Sequence, residues 1–179
     1  MGKGAFLLTR SGPRATFRTK GRGIVQESGE EVFFETTASR KLVDLIERNA
    51  GELTMGYVED IRRDPRMPSY QGFDQKEIYR RAFRVYSQLG KWISRETTKE
   101  EVRSYWTALG RQRRREGFPF SEIALSLCHI RRLLWGKIQA AGLMDTALDL
   151  YQAMDLYHRV IVFFDRAIYY AAMGYEERD

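Results

Sequence analysis

Apolar residues recur at helical spacing from Thr37 to the C-terminus, and this pattern limits the folds open to the chain more than any other feature. Five segments carry it, and prolines, glycines or runs of charged residues separate them, as is usual at helix ends. The predicted helices cover about 37–64, 74–94, 98–116, 121–142 and 143–175. The sequence therefore predicts a mainly α fold with five helices.

Several helix ends have local signals. Thr98 and Glu101 have the spacing of a capping box, Ser121 is the predicted N-cap of the fourth helix, and Gly142 is predicted to end it. The last helix is predicted to bury one stripe, comprising Leu150, Met154, Tyr157, Ile161, Phe164 and Ile168. Phe163, Tyr169 and Tyr170 lie off that stripe, and they predict a second apolar face that could meet another subunit.

The residues before this helical region have a different pattern. "AFLLT" and "ATFRT" flank "RSGPR", and "GIVQE" and "EVFFE" flank "SGE". Short β-rich runs around glycine-containing turns are typical of hairpins. We therefore expect two parts, a small β-meander or hairpin arm at 1–37 and a helical domain at 38–179.

The net charge of +6 comes from the arm. Its first 23 residues contain six basic residues and no acidic residue, while the other 156 residues of the chain contain 24 basic and 24 acidic residues. The six are Lys3, Arg10, Arg14, Arg18, Lys20 and Arg22. Such an arm is either a solvated hairpin or a surface for an acidic partner, such as nucleic acid, a lipid surface or a protein. The prediction is the solvated hairpin, with nucleic acid the less favoured partner.

The composition and motifs argue against several function classes. A hydrophobic fraction of 43% with 30% charged residues is typical of a globular protein, and no apolar run approaches the roughly 20 residues of a membrane span. The single cysteine, Cys128, excludes an internal disulfide, which favours the cytoplasm. Cys128 and His129 are neighbours, so on a helix they point about 100° apart. The sequence predicts no enzyme, no metal site and no nucleotide-binding loop.

The two histidines leave one cofactor alternative open. His158 lies at the flank of the apolar stripe of the last helix, where it could reach a pocket, and His129 is less well placed. A histidine on a partly apolar face is more often a hydrogen-bonded core or interface residue than an axial haem ligand. The prediction is therefore no cofactor, with haem on His158, then His129, as the alternative.

Three stretches resemble one known family. They are "LIERNAGELTMGYVEDIRRD", "FPFSEIALSLCHIRRLLW" and "FFDRAIYYAAMGYEE", and over about residues 40–177 they are similar to the N-terminal sensor domains of the RsbR type, also called RsbT co-antagonist N-terminal domains. The resemblance implies a globin-like all-α fold without haem, usually dimeric, that works as a signal-input module in bacterial stress or regulatory pathways. Proteins of that type continue into a STAS domain, whereas this sequence stops at Asp179, and the basic arm has no counterpart in them.

We expect a non-catalytic, cytoplasmic, homodimeric sensor domain that binds a small apolar ligand or a partner protein between its helices. Ligand pockets are commonly apolar clefts with a few polar groups. The candidate pocket residues are Phe83, Trp92, Trp106, Trp135, Tyr151, Tyr157, His158 and Phe164. The alternatives are a haem-binding sensor globin and a nucleic-acid-associated regulator that uses the basic arm.

Overall fold

The computed structural model describes residues 37–94, 97–142 and 145–177, all within the second of the chain's two units, Phe34–Asp179. The predicted β arm and its six basic residues lie outside these ranges. Eight helices occur in the described ranges, and no strand does. They are α1 Thr37–Arg48, α2 Ala50–Arg63, α3 Pro68–Gly72, α4 Gln75–Ser87, α5 Leu89–Ile93, α6 Lys99–Arg115, α7 Phe120–Ala140 and α8 Ala147–Glu176.

The prediction of a mainly α fold is confirmed, but the predicted count of five helices is wrong. The first predicted helix divides at Asn49, whose Nδ2 donates to the carbonyl of Leu45 at 2.7 Å. The second divides at Gln88, whose φ of −124° lies outside the helical range. The short α3 lies where the prolines predicted only a helix end. Breaks of this kind leave the apolar spacing nearly intact, so periodicity does not reveal them.

The local signals at helix ends succeed in part. The capping box is present, because the Thr98 hydroxyl accepts from the Glu101 N–H at 3.1 Å and the Glu101 carboxylate accepts from the Thr98 N–H at 2.7 Å. Gly142 follows α7 with a φ of +62°, which favours glycine. The predicted cap at Ser121 is wrong, since α7 begins at Phe120 with Pro119 as its N-cap.

The core forms where α2, α4, α6, α7 and α8 meet. α6 packs along α8, α2 packs on α4, and α7 lies against both α2 and α8. The buried side of α8 combines four small residues with four larger ones, namely Ala153, Ala167, Ala171 and Gly174 with Leu156, Val160, Phe163 and Phe164.

The predicted core stripe of α8 is therefore largely wrong. Leu150, Met154 and Tyr157 are 50%, 61% and 36% exposed, whereas Phe163, predicted to lie off the stripe, is buried. Ala171 and Gly174 lie against the backbone of α6, whereas Leu148, Leu150 and Met154 in the first half of α8 lie on its exposed side. No helix within the described ranges is long and apolar enough to cross a membrane.

Candidate functional site

A cavity of about 210 Å³ lies between α2, α4, α6 and α7, and Tyr70 of α3 also contributes to its wall. Its apolar lining is contributed mainly by side chains that are buried in the core. These are Ile78, Ala82, Val85, Ile123, Leu127 and Ile130. A concave space of this kind, apolar with a few polar groups, is the usual form of a small-molecule site.

The buried polar groups of the cavity include two hydroxyls that form a hydrogen bond with each other, beside the buried Arg113. The Tyr57 hydroxyl and the Ser126 hydroxyl lie 2.6 Å apart and form a buried hydrogen bond between α2 and α7. Burial raises the pKa of Tyr57 well above 10.0, and it also raises the pKa of Tyr70. Both phenols therefore keep their protons at neutral pH and offer hydrogen bonds without charge.

Trp106 adds an unsatisfied donor to the cavity lining. Its side chain is buried, and its indole Nε1 has no hydrogen-bond partner among the described residues. A buried donor in this state costs about 1–3 kcal/mol. By contrast, the Tyr86 hydroxyl in the neighbouring core donates to the carbonyl of Ile130 at 3.1 Å. The Trp106 Nε1 atom has almost no accessible surface, so this donor is enclosed by its neighbours and does not open onto the cavity space.

The mouth of the cavity, defined here as Arg80, Arg84, Ala108 and Gln112, lies between α4 and α6. These four lining residues are exposed, unlike the apolar residues behind them. Each pair is four residues apart on its helix, so both pairs project toward the gap from successive turns. The cavity therefore opens to solvent between α4 and α6.

A network of ion pairs lies beside this mouth. The Arg81 guanidinium contacts Glu77 at 2.5 Å and Glu116 at 2.7 Å, and Arg113 contacts Glu116 at 2.8 Å. The hydrogen bond from Arg80 lowers the pKa of Glu77 from 4.5 to about 2. These pairs tie α4 to the end of α6 and so fix one side of the opening.

The predicted pocket residues do not converge on this cavity, and only Trp106 among them lines it. Trp92 and Trp106 meet through Phe163, with ring centroids 6.0 Å and 5.8 Å from it, and Phe164 lies 5.1 Å from Phe163. Trp92 also borders a second, more open groove together with Arg84. This aromatic cluster is part of the core between α5, α6 and α8.

The other predicted pocket residues lie elsewhere. Trp135 of α7 and Tyr157 of α8 form a separate pair with centroids 4.4 Å apart. Tyr151 and His158 are exposed on α8. Phe83 is exposed on α4, where its ring stacks on Tyr79 at 5.9 Å.

His129 is held in the core by two polar partners. Its Nδ1 lies 2.8 Å from the guanidinium of Arg132, which can only donate, so Nδ1 accepts. Its Nε2 therefore carries the proton and donates to Asp64 at 3.1 Å. Hydrogen bonds from Arg66 hold the pKa of Asp64 well below 3.8. Both ring nitrogens are thus engaged, so His129 does not fit the role of a haem ligand, and His158 is exposed on α8.

Sequence reasoning missed most of the cavity. No sequence pattern marked Tyr57, Arg84 or Tyr105 as site residues. One usable signal was Ser126, a polar residue among the apolar residues of the fourth predicted helix. Another was the Arg80 and Arg84 pair, which places two cations on one face of a helix. No group of three or more His, Cys, Asp and Glu side chains suited to a metal ion occurs in the described part of the chain.

Comparisons with protein-family models, with curated proteins and with solved structures found no match for this chain.

Proposed function

We propose that this chain is a non-catalytic, cytoplasmic sensor domain of the RsbR N-terminal type, globin-like and dimeric, whose signal is a small ligand bound in the cavity between α4 and α6. The observation that carries the proposal is the cavity itself, with an apolar interior, neutral hydroxyls and an open mouth. The three quoted stretches and the helical architecture support the family assignment.

The lining of the cavity favours binding over catalysis. None of the lining residues is a histidine, a cysteine or an acid, so the nucleophile and base combinations that activate most substrates are missing there. The buried phenols of Tyr57 and Tyr70 are protonated at neutral pH, as their raised pKa values require. What these groups can do is orient a bound molecule by hydrogen bonds.

The dimeric state is supported by the outward face of α8. Leu148, Leu150, Tyr151 and Met154 are all exposed there, and no described residue covers them. Contiguous exposed apolar side chains commonly mark a protein interface. A second copy of the chain is the partner that we propose for this face.

The cavity can be closed without touching the core. Ala108 is exposed on α6 at the mouth, and Ala108→Trp would place a large ring across the opening. Ala140 is exposed near the end of α7 and does not line the cavity, so Ala140→Trp is the matched control.

The test is a thermal-shift screen of small apolar and amphipathic compounds on the three proteins. We expect compounds that raise the Tm of the wild type and of Ala140→Trp but leave Ala108→Trp unchanged, because ligand binding to the native state alone raises Tm. Compounds that stabilise Ala108→Trp as strongly as the wild type, or a screen without any stabilising compound, would contradict the proposal.

A further inference from the structure

The charges around the mouth are unbalanced. Four arginines line the cavity, namely Arg80, Arg81, Arg84 and Arg113, whereas two carboxylates, Glu77 and Glu116, pair with members of this group. The net charge of this group of side chains is therefore positive. Like-signed charges around a cleft raise the local concentration of ligands of the opposite sign.

Three of the four arginines are committed to those two carboxylates. Arg80 and Arg81 contact Glu77, and Arg81 and Arg113 contact Glu116. Each of these guanidinium groups is positioned by its carboxylate partner, and the N–H donors used in that ion pair are not available to a ligand.

Arg84 is different. Its guanidinium lies over the ring of Tyr105 at 5.5 Å, and within the described ranges no carboxylate lies at ion-pairing distance from it. Arg84 and Tyr105 both line the cavity. The planar fork of a guanidinium matches a carboxylate, which it can bind through two parallel hydrogen bonds. Arg84 thus holds an available anion-binding group at the mouth.

The volume of the cavity limits the size of the part of the ligand that lies inside it. A dry apolar cavity of about 150 Å³ accepts benzene, and the volume here is about 210 Å³. One aromatic ring with a short side chain fills such a space. The rings of Tyr57, Tyr70 and Trp106 line the cavity, and they suit a flat guest.

We propose that the ligand of this cavity is a small aromatic carboxylate, with its ring among the apolar side chains and its carboxylate on Arg84 at the mouth. This inference rests on the proposed function, because it names the chemical class of the ligand for the same cavity. The ligand enters between α4 and α6 and leaves its charged end in contact with solvent.

The experiment compares three probes that share a ring and differ in the head group, namely phenylacetate, phenylacetamide and toluene. Their affinities are measured by NMR titration of the full chain. We expect phenylacetate to bind about tenfold more tightly than phenylacetamide, as one charge-assisted contact at an exposed site allows.

Arg84→Met keeps most of the aliphatic stem and removes the charge. Arg166→Met is the matched control, because Arg166 is an exposed arginine of α8 that does not line the cavity. Phenylacetate should lose about tenfold in affinity in Arg84→Met and none in Arg166→Met, while toluene binds all three proteins equally. Far-UV circular dichroism checks that each variant is folded.

The outcomes separate the two proposals. If phenylacetate and phenylacetamide bind equally, or if Arg84→Met leaves their ratio unchanged, the carboxylate assignment is overturned while a cavity that binds apolar ligands survives. If none of the three probes binds the wild type, both the carboxylate assignment and the proposed function are overturned.

Discussion

Gly174 of α8 lies against the backbone of Thr107 on α6, so closely that a Cβ atom on the glycine would be 2.0 Å from the Thr107 carbonyl oxygen. Gly110 of α6 has the reciprocal relationship with Ala171 of α8, also at 2.0 Å. The two helices therefore cross with their backbones in contact, and neither glycine can accept a side chain unless a backbone moves.

Gly174→Ala should destabilise the protein by about 2 kcal/mol or more, since inserting an atom into a packed contact usually costs about 1–3 kcal/mol. Gly136→Ala is the control, because no atom lies within 4 Å of the position of its Cβ on α7. That variant should gain up to about 1 kcal/mol from helix propensity. Urea unfolding measures both, and equal stabilities for the two variants would contradict the close crossing.

The Tyr57–Ser126 hydrogen bond should appear as a coupling energy. Tyr57→Phe and Ser126→Ala each leave a buried hydroxyl without its partner, which costs about 1–3 kcal/mol. In the double variant no hydroxyl is left behind, so its loss should be smaller than the sum of the two single losses. A double-mutant cycle from urea unfolding gives the coupling, and additive losses would show that the two groups are not paired.

Acid should weaken the ion pairs beside the mouth. The pKa of Glu77 is lowered to about 2 in the folded protein from 4.5, chiefly by the Arg80 hydrogen bond. A lowered folded-state pKa stabilises the protein above the unfolded-state pKa. This contribution is fully present above pH 4.5 and is lost as the pH falls toward 2.

Glu77→Gln removes this titration. Urea midpoints between pH 7 and pH 3 should therefore fall less steeply with acid in the variant than in the wild type. An identical pH dependence in the two proteins would contradict the lowered pKa of Glu77. The carboxylate of Asp64, whose pKa is also lowered, contributes in the same direction in both proteins.

The outward face of α8 should control the oligomeric state. Met154 on α8 and Met55 on α2 are both 61% exposed, so the same substitution can be made at two equally accessible positions. Met154→Glu places a charge in the proposed contact and should halve the mass that light scattering reports at micromolar concentrations. Met55→Glu should leave the mass unchanged. A wild type that is already monomeric would rule out the dimer.

Local sequence signals predicted local structure well. The Thr98 and Glu101 pair and Gly142 both depend on interactions within a few residues. The breaks at Asn49 and Gln88 were missed because a one-residue interruption shifts the helical phase too little to disturb the apolar pattern.

The orientation of α8 could not be predicted in the same way. Its apolar residues occupy most of its circumference, so periodicity alone favours the side with the largest residues, such as Leu150 and Met154. The buried side of α8 also has to let α6 approach. At this close contact the residues of α8 must be small, as Ala171 and Gly174 are. A hydrophobicity pattern assigns little weight to glycine and alanine, although they decide the packing here.

The cavity was the least predictable feature. It exists because the backbones of α4 and α6 make few close approaches, and no motif within either helix reports that distance. Aromatic residues were chosen from the sequence for size, but Trp92 and Phe164 fill the core, while smaller and polar groups such as Ser126 line the open space.

The contact at Gly110 has a mechanical consequence. α6 forms one wall of the cavity through Trp106 and Arg113, and one turn away it is locked to α8 by direct backbone contact. α8 is 30 residues long, or about 45 Å, and its far half presents the outward apolar face. A guest that displaced α6 at this point would also press on α8, because the two backbones meet there with no side chain between them to absorb the movement.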